Sequence, residues 1–322
     1  MTPGPASQPL RGAYLGPEGT FTEIAARRVR TFDNAVLTAG SDAHTIAQGV
    51  EDATLDFGVV PIENSVHGTV LPTLDELVFE RKALLIREEI VVDVAFTLYA
   101  NPNSRGTTPP TIVLSHPHAL AQCRDIIAQK GLTAVEVSST AEACRLVATT
   151  RPDALCIGGP TAGETYDLTV VEDGVQDRDG GSTRFYVLAR SLAPHHVDTE
   201  QYRTALVLTP ARDRPGVLLD LLRPFAERGL NLSSLMSRPL RSGLGLYCFI
   251  AVVDAHIDAP SFGPALSELL DNGVRIKNLG SYLAWPTEVP EAGAHAEFPA
   301  GSVAAVDPPE QHARVLAPPQ DT

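Results

Sequence analysis

The chain has 322 residues, of which 43% are hydrophobic and 20% charged, and 25 Lys plus Arg stand against 39 Asp plus Glu for a net charge of −14. That size suits two domains, and so acidic a surface disfavours nucleic acid and anionic lipid, leaving small molecules or a second copy of the chain as partners. No stretch approaches the ~20 apolar residues of a membrane span and the N-terminus lacks a basic segment followed by an apolar one, which reads as a cytoplasmic protein.

From Ala13 to Arg190 strand-like and helical segments alternate. "AYLG" reads as a strand entering "PEGTFTEIAARRVR", where Thr20 and Glu23 have the spacing of a capping box. "SDAHTIAQGVEDA" spaces Ile46, Val50 and Ala53 on one helical face, and "DFGVVPIE" is a strand running into the loop "NSVHGT". "LPTLDELVF" is predicted helical and "EEIVVDVAFTLYA" β-rich; "TIVLSHP" leads into a helix over "HALAQCRDIIAQKG" closed by Gly131. "TAVEVSST" with "AEACRLVATT" and "ALCIGG" with "PTAGETY" repeat the unit before "STRFYVLA" returns as a strand. Strands alternating with helices of this length predict an α/β region with largely parallel strands.

A polar stretch over 193–202 reads as a linker. The order β-α-β-β-α-β follows over about 80 residues, a ferredoxin-like module, with Pro224 predicted to kink its first helix. Beyond Trp285 prolines, alanines and acids predict a disordered tail over 287–322, and residues 1–11 read as a flexible N-terminus.

The loops at the expected carboxyl ends of the strands are "GPEGTFT", "PIENSVHGT", "LSHPHA", "VSST" and "GGSTRF". Small, hydroxyl, amide and imidazole groups before helices suit an anionic ligand. Each is also ordinary capping chemistry, so the site is inferred from the five together. The glycines lack the spacing of a nucleotide-binding loop. Cys123, Cys144, Cys156 and Cys248 read as reduced core residues, His116 and His118 as packed or solvated, and His195 and His196 as linker residues rather than metal ligands.

Taken in order, "YLGPEGTFTEIAA", "GVVPIENSVHGTV", "SHPHALAQC", "VSSTAEA" and "STRFYVLAR", followed by a ferredoxin-like module, closely resemble the prephenate dehydratase family over residues 12 to 286. The resemblance implies a two-lobed catalytic domain like a type II periplasmic binding protein over 12–192, with lobe 1 at about 12–90 and 184–190 and lobe 2 at about 91–183. An ACT regulatory domain over 203–286 would follow the linker. The implied reaction is the decarboxylative dehydration of prephenate to phenylpyruvate in phenylalanine biosynthesis, needing neither redox cofactor nor metal. By its match to the family's TRF motif, Thr183 would donate to the departing hydroxyl. Arg184 would orient the site or neutralise a carboxylate, or serve only as a structural ion pair. Asn64, Ser65 and Gln122 would complete the catalytic group, with Thr20, Thr22, Ser115 and the packing residue Phe185 lining the substrate site. Phenylalanine is the implied effector, held by Gly216, Asn231, Leu232, Ser237 and Arg238, and the implied assembly is a homodimer or homotetramer. Three positions depart from the family pattern: Gly181 replaces an asparagine, His118 the glutamine of SHPQ, and Met236 the acid of ESRP. Two other readings stay open, a decarboxylase that leaves the ring non-aromatic and a non-catalytic amino-acid or keto-acid sensor.

Overall fold

The structure is a computed structural model and describes residues 9–32, 34–104, 109–178, 180–190, 201–241 and 245–286. The described residues up to Trp285 belong to one compact unit. The expected tail over 287–322, most of the expected linker, His195 and His196, and the first eight residues lie outside the described residues.

The first lobe opens with β1 (Arg11–Leu15) and α1 (Phe21–Ala26), β2 (Val36–Gly40) and α2 (Ala43–Glu51), then β3 (Phe57–Asn64) and the two-residue β4 (Gly68–Thr69). Thr20 and Asp42 start the two helices by accepting the Glu23 and Thr45 backbone N–H groups, and the Glu23 carboxylate reaches back to the Gly19 N–H. The sequence "LPTLDELVF" does not form one regular helix. It is α3 (Leu71–Asp75) followed by a π-helical turn, Glu76–Glu80, closed by the Arg81 N–H on the Glu76 carbonyl. β5 (Leu85–Asp93) completes the stretch.

The chain then crosses to a second lobe. There it forms β6 (Thr97–Ala100), β7 (Ile112–Ser115), α4 (Pro117–Gln122), α5 (Arg124–Gln129) and β8 (Thr133–Glu136). α6 (Thr140–Thr149), β9 (Leu155–Gly158), α7 (Ala162–Thr165) and β10 (Thr169–Asp173) follow, and the chain returns to the first lobe as β11 (Ser182–Ala189). The expected single helix after "LSHP" is broken at Cys123, whose φ of −129° and ψ of 35° leave the helical region. The Asp177 carboxylate restarts it by accepting the Arg124 and Asp125 N–H groups. The β-branched run "EEIVVDVAFTLYA" is likewise divided, with β5 in one sheet and β6 in the other. β5 continues to Asp93 and β11 begins at Ser182, so both reach into the stretch expected for lobe 2.

Both lobes have the same plan. Lobe 1 orders its strands β2-β1-β3-β11-β5 and lobe 2 orders them β8-β7-β9-β6-β10. In each, the strand that has just arrived from the other lobe is inserted antiparallel in the fourth place, while the first three strands run parallel. This double crossover is the pattern of the type II periplasmic binding proteins, and it leaves the sheets largely parallel as expected, with one reversed strand in each.

The C-terminal module contains β12 (Tyr202–Thr209), α8 (Val217–Ala226), β13 (Leu232–Pro239), β14 (Tyr247–Val253), α9 (Phe262–Asp271) and β15 (Arg275–Leu283). Its antiparallel order β13-β14-β12-β15 is ferredoxin-like, and α8 runs through Pro224, a turn from its end, to Ala226. One face of this sheet packs Leu206, Leu208, Ala251 and Val253 on Leu221, Phe225, Phe262 and Leu269 from the two helices. The other face joins the lobe 1 core through Val207, Ile250 and Tyr282 against Leu77, Ile86 and Tyr186. Burial on both faces explains why β12 reads as an almost unbroken apolar run rather than an alternating one. β15 also pairs with β5, making one ten-stranded sheet. The strands approach so closely at Gly280, φ +124°, that a Cβ there would lie 2.5 Å from the Ile86 carbonyl oxygen; only glycine fits.

Candidate active site

A cavity of about 1100 Å³ lies between the lobes. All five loops picked out in the sequence reach it: the β1–α1 loop with Pro17, Thr20 and Thr22, the β3–β4 turn with Asn64 and His67, the α4 start with His116 and His118, the α6 start with Ser138 and Ser139, and β11 with Thr183 and Phe185. The β2–α2 loop adds Gly40 and Ser41, which the sequence did not reveal because β2, an edge strand with a mostly exposed side-chain pattern, was not recognised. α3 adds Leu71 and Pro72.

Thr183 sits opposite Asn64 of β3 on one side and Val92 of β5 on the other. The Asn64 amide nitrogen donates to the Thr183 hydroxyl at 2.9 Å. Its amide oxygen is held by the Val66 and His67 N–H groups at 2.9 and 3.0 Å, so the orientation of the amide is set by the turn itself. With its oxygen accepting from Asn64, the Thr183 hydroxyl has its proton left to give to a ligand in the cavity.

Successive residues of a strand point to opposite faces. Thr183 and Phe185 therefore line the cavity together, while Arg184 does not line it and instead pairs with Glu63 at 2.6 Å and lies 3.5 Å from Glu89. Of the two readings of Arg184, the structure shows the ion pair. Ser65 also lies off the cavity lining: its hydroxyl accepts the Ser182 N–H at 2.9 Å and its own N–H donates to the Ser182 carbonyl, clamping the start of β11. Ser115, expected to contact substrate, is fully buried and donates to the Ile157 carbonyl at 2.7 Å, tying β7 to β9 below the cavity. The Thr20 hydroxyl is occupied by the helix cap and by the Leu15 carbonyl, so its remaining atoms form wall. Thr22 and Gln122 line the cavity as expected. The Gln122 amide nitrogen bonds to the His118 carbonyl and to His67 Nε2, both at 3.2 Å. Gly181 lies beside it, where an added Cβ would stand 3.8 Å from Gln122 Oε1, so a side chain there has room.

Among the described residues no Lys, Arg, Asp or Glu lines the cavity, and the ionisable groups that do are His67, His116 and His118. Burial lowers the His116 pKa below the ordinary 6.5, with His67 adding repulsion, and burial, His67 and His116 lower that of His118 in the same order of cause. All four cysteines are free and buried. Among the described residues no group of His, Cys, Asp or Glu is arranged to hold a metal ion and no helix is long and apolar enough to cross a membrane.

In the C-terminal module, Gly216 takes a left-handed conformation before α8, Asn231 donates to Asp254 at 2.6 Å, Leu232 packs on the helix-facing core, and Ser237 lies exposed on β13. Arg238 is engaged elsewhere than expected. Its guanidinium grips both oxygens of Asp75, at the end of α3, at 2.6 and 2.7 Å.

A family model for prephenate dehydratase matches residues 13–192, and one for the ACT domain matches residues 207–271. The prephenate dehydratase of Mycobacterium avium is 37% identical over 296 residues, covering 88% of this chain and 90% of that protein. Among solved structures, a prephenate dehydratase from Arthrobacter aurescens in complex with L-Phe is similar with a TM-score of 0.76 and 32% identity, covering 85% of this chain and 90% of that one. A protein described as GqqA, a novel type of quorum quenching acylase, is similar with a TM-score of 0.75 and 26% identity, covering 86% and 98%.

Proposed function

The chain belongs to the prephenate dehydratase family, and from that premise we propose that its inter-lobe cavity converts prephenate to phenylpyruvate, with Thr183 as the hydrogen-bond donor to the departing hydroxyl. The ring carboxylate leaves as carbon dioxide and its bonding pair enters the ring. The carbon–oxygen bond across the ring breaks with its own pair, and the oxygen takes up a proton and leaves as water. Dianionic prephenate plus one proton thus becomes monoanionic phenylpyruvate, carbon dioxide and water, with no oxidant or reductant.

Aromatisation drives this exchange, and the barrier lies in expelling a poor leaving group. A threonine hydroxyl is too weak an acid to supply the proton alone. It serves as a positioned donor aimed at the oxygen as charge develops, a type of preorganised contact worth ~10²–10³ in rate. The observation that carries the reading is the Asn64 to Thr183 hydrogen bond of 2.9 Å at the cavity wall. It occupies the hydroxyl oxygen and leaves the proton for substrate. Gln122 and Thr22 supply neutral polar groups for the ketone and the carboxylates.

The same reading makes 12–192 the catalytic region and 203–286 an ACT domain that senses phenylalanine, in a cytoplasmic enzyme of phenylalanine biosynthesis. A likeness to an enzyme solved with L-Phe supports the effector. An exposed edge strand, β13, with Leu235 open to solvent and Tyr247 of the neighbouring β14 also exposed, supports a homo-oligomer. Incubation with prephenate and identification of the product tests the catalytic reading: phenylpyruvate is expected, whereas a non-aromatic decarboxylated acid or unchanged prephenate overturns it. Titration calorimetry with phenylalanine, tyrosine and tryptophan tests the second domain, with heat and altered activity expected from phenylalanine.

A further inference from the structure

A dianion entering this cavity meets a chain of net charge −14 and a wall to which the described residues contribute no lysine or arginine. Among the described residues the histidines are the only lining side chains that can become positive. We propose that His67 and His118, stacked on each other from opposite lobes with His116 alongside, form a proton-gated receptor for a substrate carboxylate, and that His118 takes up a proton as the dianion binds. This rests on the reading of the cavity as a prephenate site and names how that site reads charge.

The geometry selects the ring. His67 comes from the β3–β4 turn, and its imidazole lies 3.8 Å from that of His118, centre to centre, at 18°. His116 meets His118 edge-on at 4.8 Å and 83°. His67 Nε2 accepts from the Gln122 amide, so that nitrogen carries no proton of its own. His116 Nδ1 accepts the His118 backbone N–H at 3.2 Å, so that ring is neutral with its proton on Nε2. Neither can gain a proton without losing a hydrogen bond. The His118 ring has no such commitment among the described residues. An imidazolium there would lie on the face of the His67 ring and attract an anion in a site to which the described residues bring no other charge.

The titratable groups that act on these rings are the imidazoles themselves and Glu136 at the end of β8. In the free enzyme burial and the two neighbouring rings hold His118 below its ordinary value, so it is neutral at pH 7. An approaching carboxylate raises it. Between the free and the liganded pKa, binding takes up one proton and affinity for the dianion falls about tenfold for each unit rise in pH. Phenylpyruvate, with one carboxylate fewer, exerts less pull, which favours its release.

The test is kcat and KM for prephenate from pH 6.5 to 8.5, followed by phenylpyruvate formation, in the full chain and in His118→Gln. KM of the unaltered chain is expected to rise with pH, with a limiting slope of about tenfold per unit, while kcat changes little. His118→Gln is expected to fold normally, because the side chain is exposed, and to show a pH-independent KM no lower than the high value of the parent. A KM that is flat in the parent, or that keeps its full pH slope in His118→Gln, overturns the proposal while leaving the catalytic reading intact. If no phenylpyruvate forms, the catalytic reading falls. The heat of prephenate binding in phosphate and in Tris buffers then decides: uptake of about one proton, absent in His118→Gln, supports the receptor, and equal heats in the two buffers overturn it.

Discussion

The two lobes order their strands identically but are held together by different forces. Lobe 1 contains carboxylates buried in its sheet. Glu88, fully buried, accepts from the Arg30 N–H and Nε and from the Thr31 N–H and hydroxyl. Glu89, also buried, accepts twice from Arg203 of the C-terminal module, at 2.9 and 3.1 Å. The same module reaches the far end of α3: Lys277 donates to the Leu77, Val78 and Arg81 carbonyls, and Arg238 grips Asp75. Lobe 2 has an apolar interior of Tyr99, Leu114, Cys144, Val147 and Cys156, and its ion pairs, such as Arg145–Glu142 and Lys130–Glu172, lie at the surface. The lobe with the pinned sheet carries the hydroxyl that must be aimed. The lobe without buried ionic ties carries His116 and His118, groups that respond to charge rather than to position.

That division can be broken at its strongest point. Thr183→Val keeps shape and removes the donor, so kcat is expected to fall by ~10²–10⁴, with KM and melting temperature little changed. Gln122→Ala from lobe 2 is expected to act mainly on KM. If steady-state kinetics showed the reverse assignment, positioning would belong to the wrong lobe.

Stability should divide the same way. Glu88→Ala leaves two donors of Arg30 and two of Thr31 without their buried acceptor and is expected to cost ~3–5 kcal/mol in urea unfolding. Glu142→Gln, at the surface of lobe 2, should cost less than about 1 kcal/mol. Comparable losses from the two would erase the contrast. Gly280→Ala probes the junction with the C-terminal module: strain at positive φ and the contact with the Ile86 carbonyl predict a loss of roughly 1–3 kcal/mol, and a neutral effect would mean that β15 and β5 can separate without consequence.

Local chemistry was readable in the sequence where the partner is also local. The Thr20 cap, the helix face of Ile46 and Val50 and the apolar β12 all follow from spacing within a few residues. The Thr183 hydroxyl was legible as a candidate, but its dependence on Asn64 is a matter of strand register across 119 positions. Arg184 could have been removed from the cavity by strand alternation alone, since it neighbours a residue that points in. Ser115 was expected in the site from its match to a family position, yet it ends a strand of the lobe 2 sheet, where its hydroxyl meets the Ile157 carbonyl. The contacts of Arg238 and His67 escaped the sequence for a common reason. Each side chain is visible in the sequence, but the partner that gives it a role, Asp75 or His118, comes from a distant segment.

The smallest effect expected concerns acid. Glu51, at the end of α2, accepts the Lys82 and Ala83 N–H groups at 2.8 and 2.9 Å and pairs with Arg81, fastening lobe 1 where the π-helical turn ends. The Ala83 N–H first, then the Lys82 N–H and Arg81, hold its pKa below the ordinary 4.5 against the opposing effect of burial. A carboxyl whose pKa is lower folded than unfolded stabilises the fold fully above the unfolded value and loses that contribution as pH falls toward the folded one. Unfolding free energy should therefore decline below about pH 4.5 partly through this group. Glu51→Gln is expected to lower stability at pH 7 by ~1 kcal/mol and to decline less steeply on acidification. Urea midpoints at pH 7 and pH 4 for both proteins measure this; equal acid losses in the two would show that the lobe 1 fastening does not depend on this carboxylate, and would confine the electrostatic contrast between the lobes to Glu88 and Glu89.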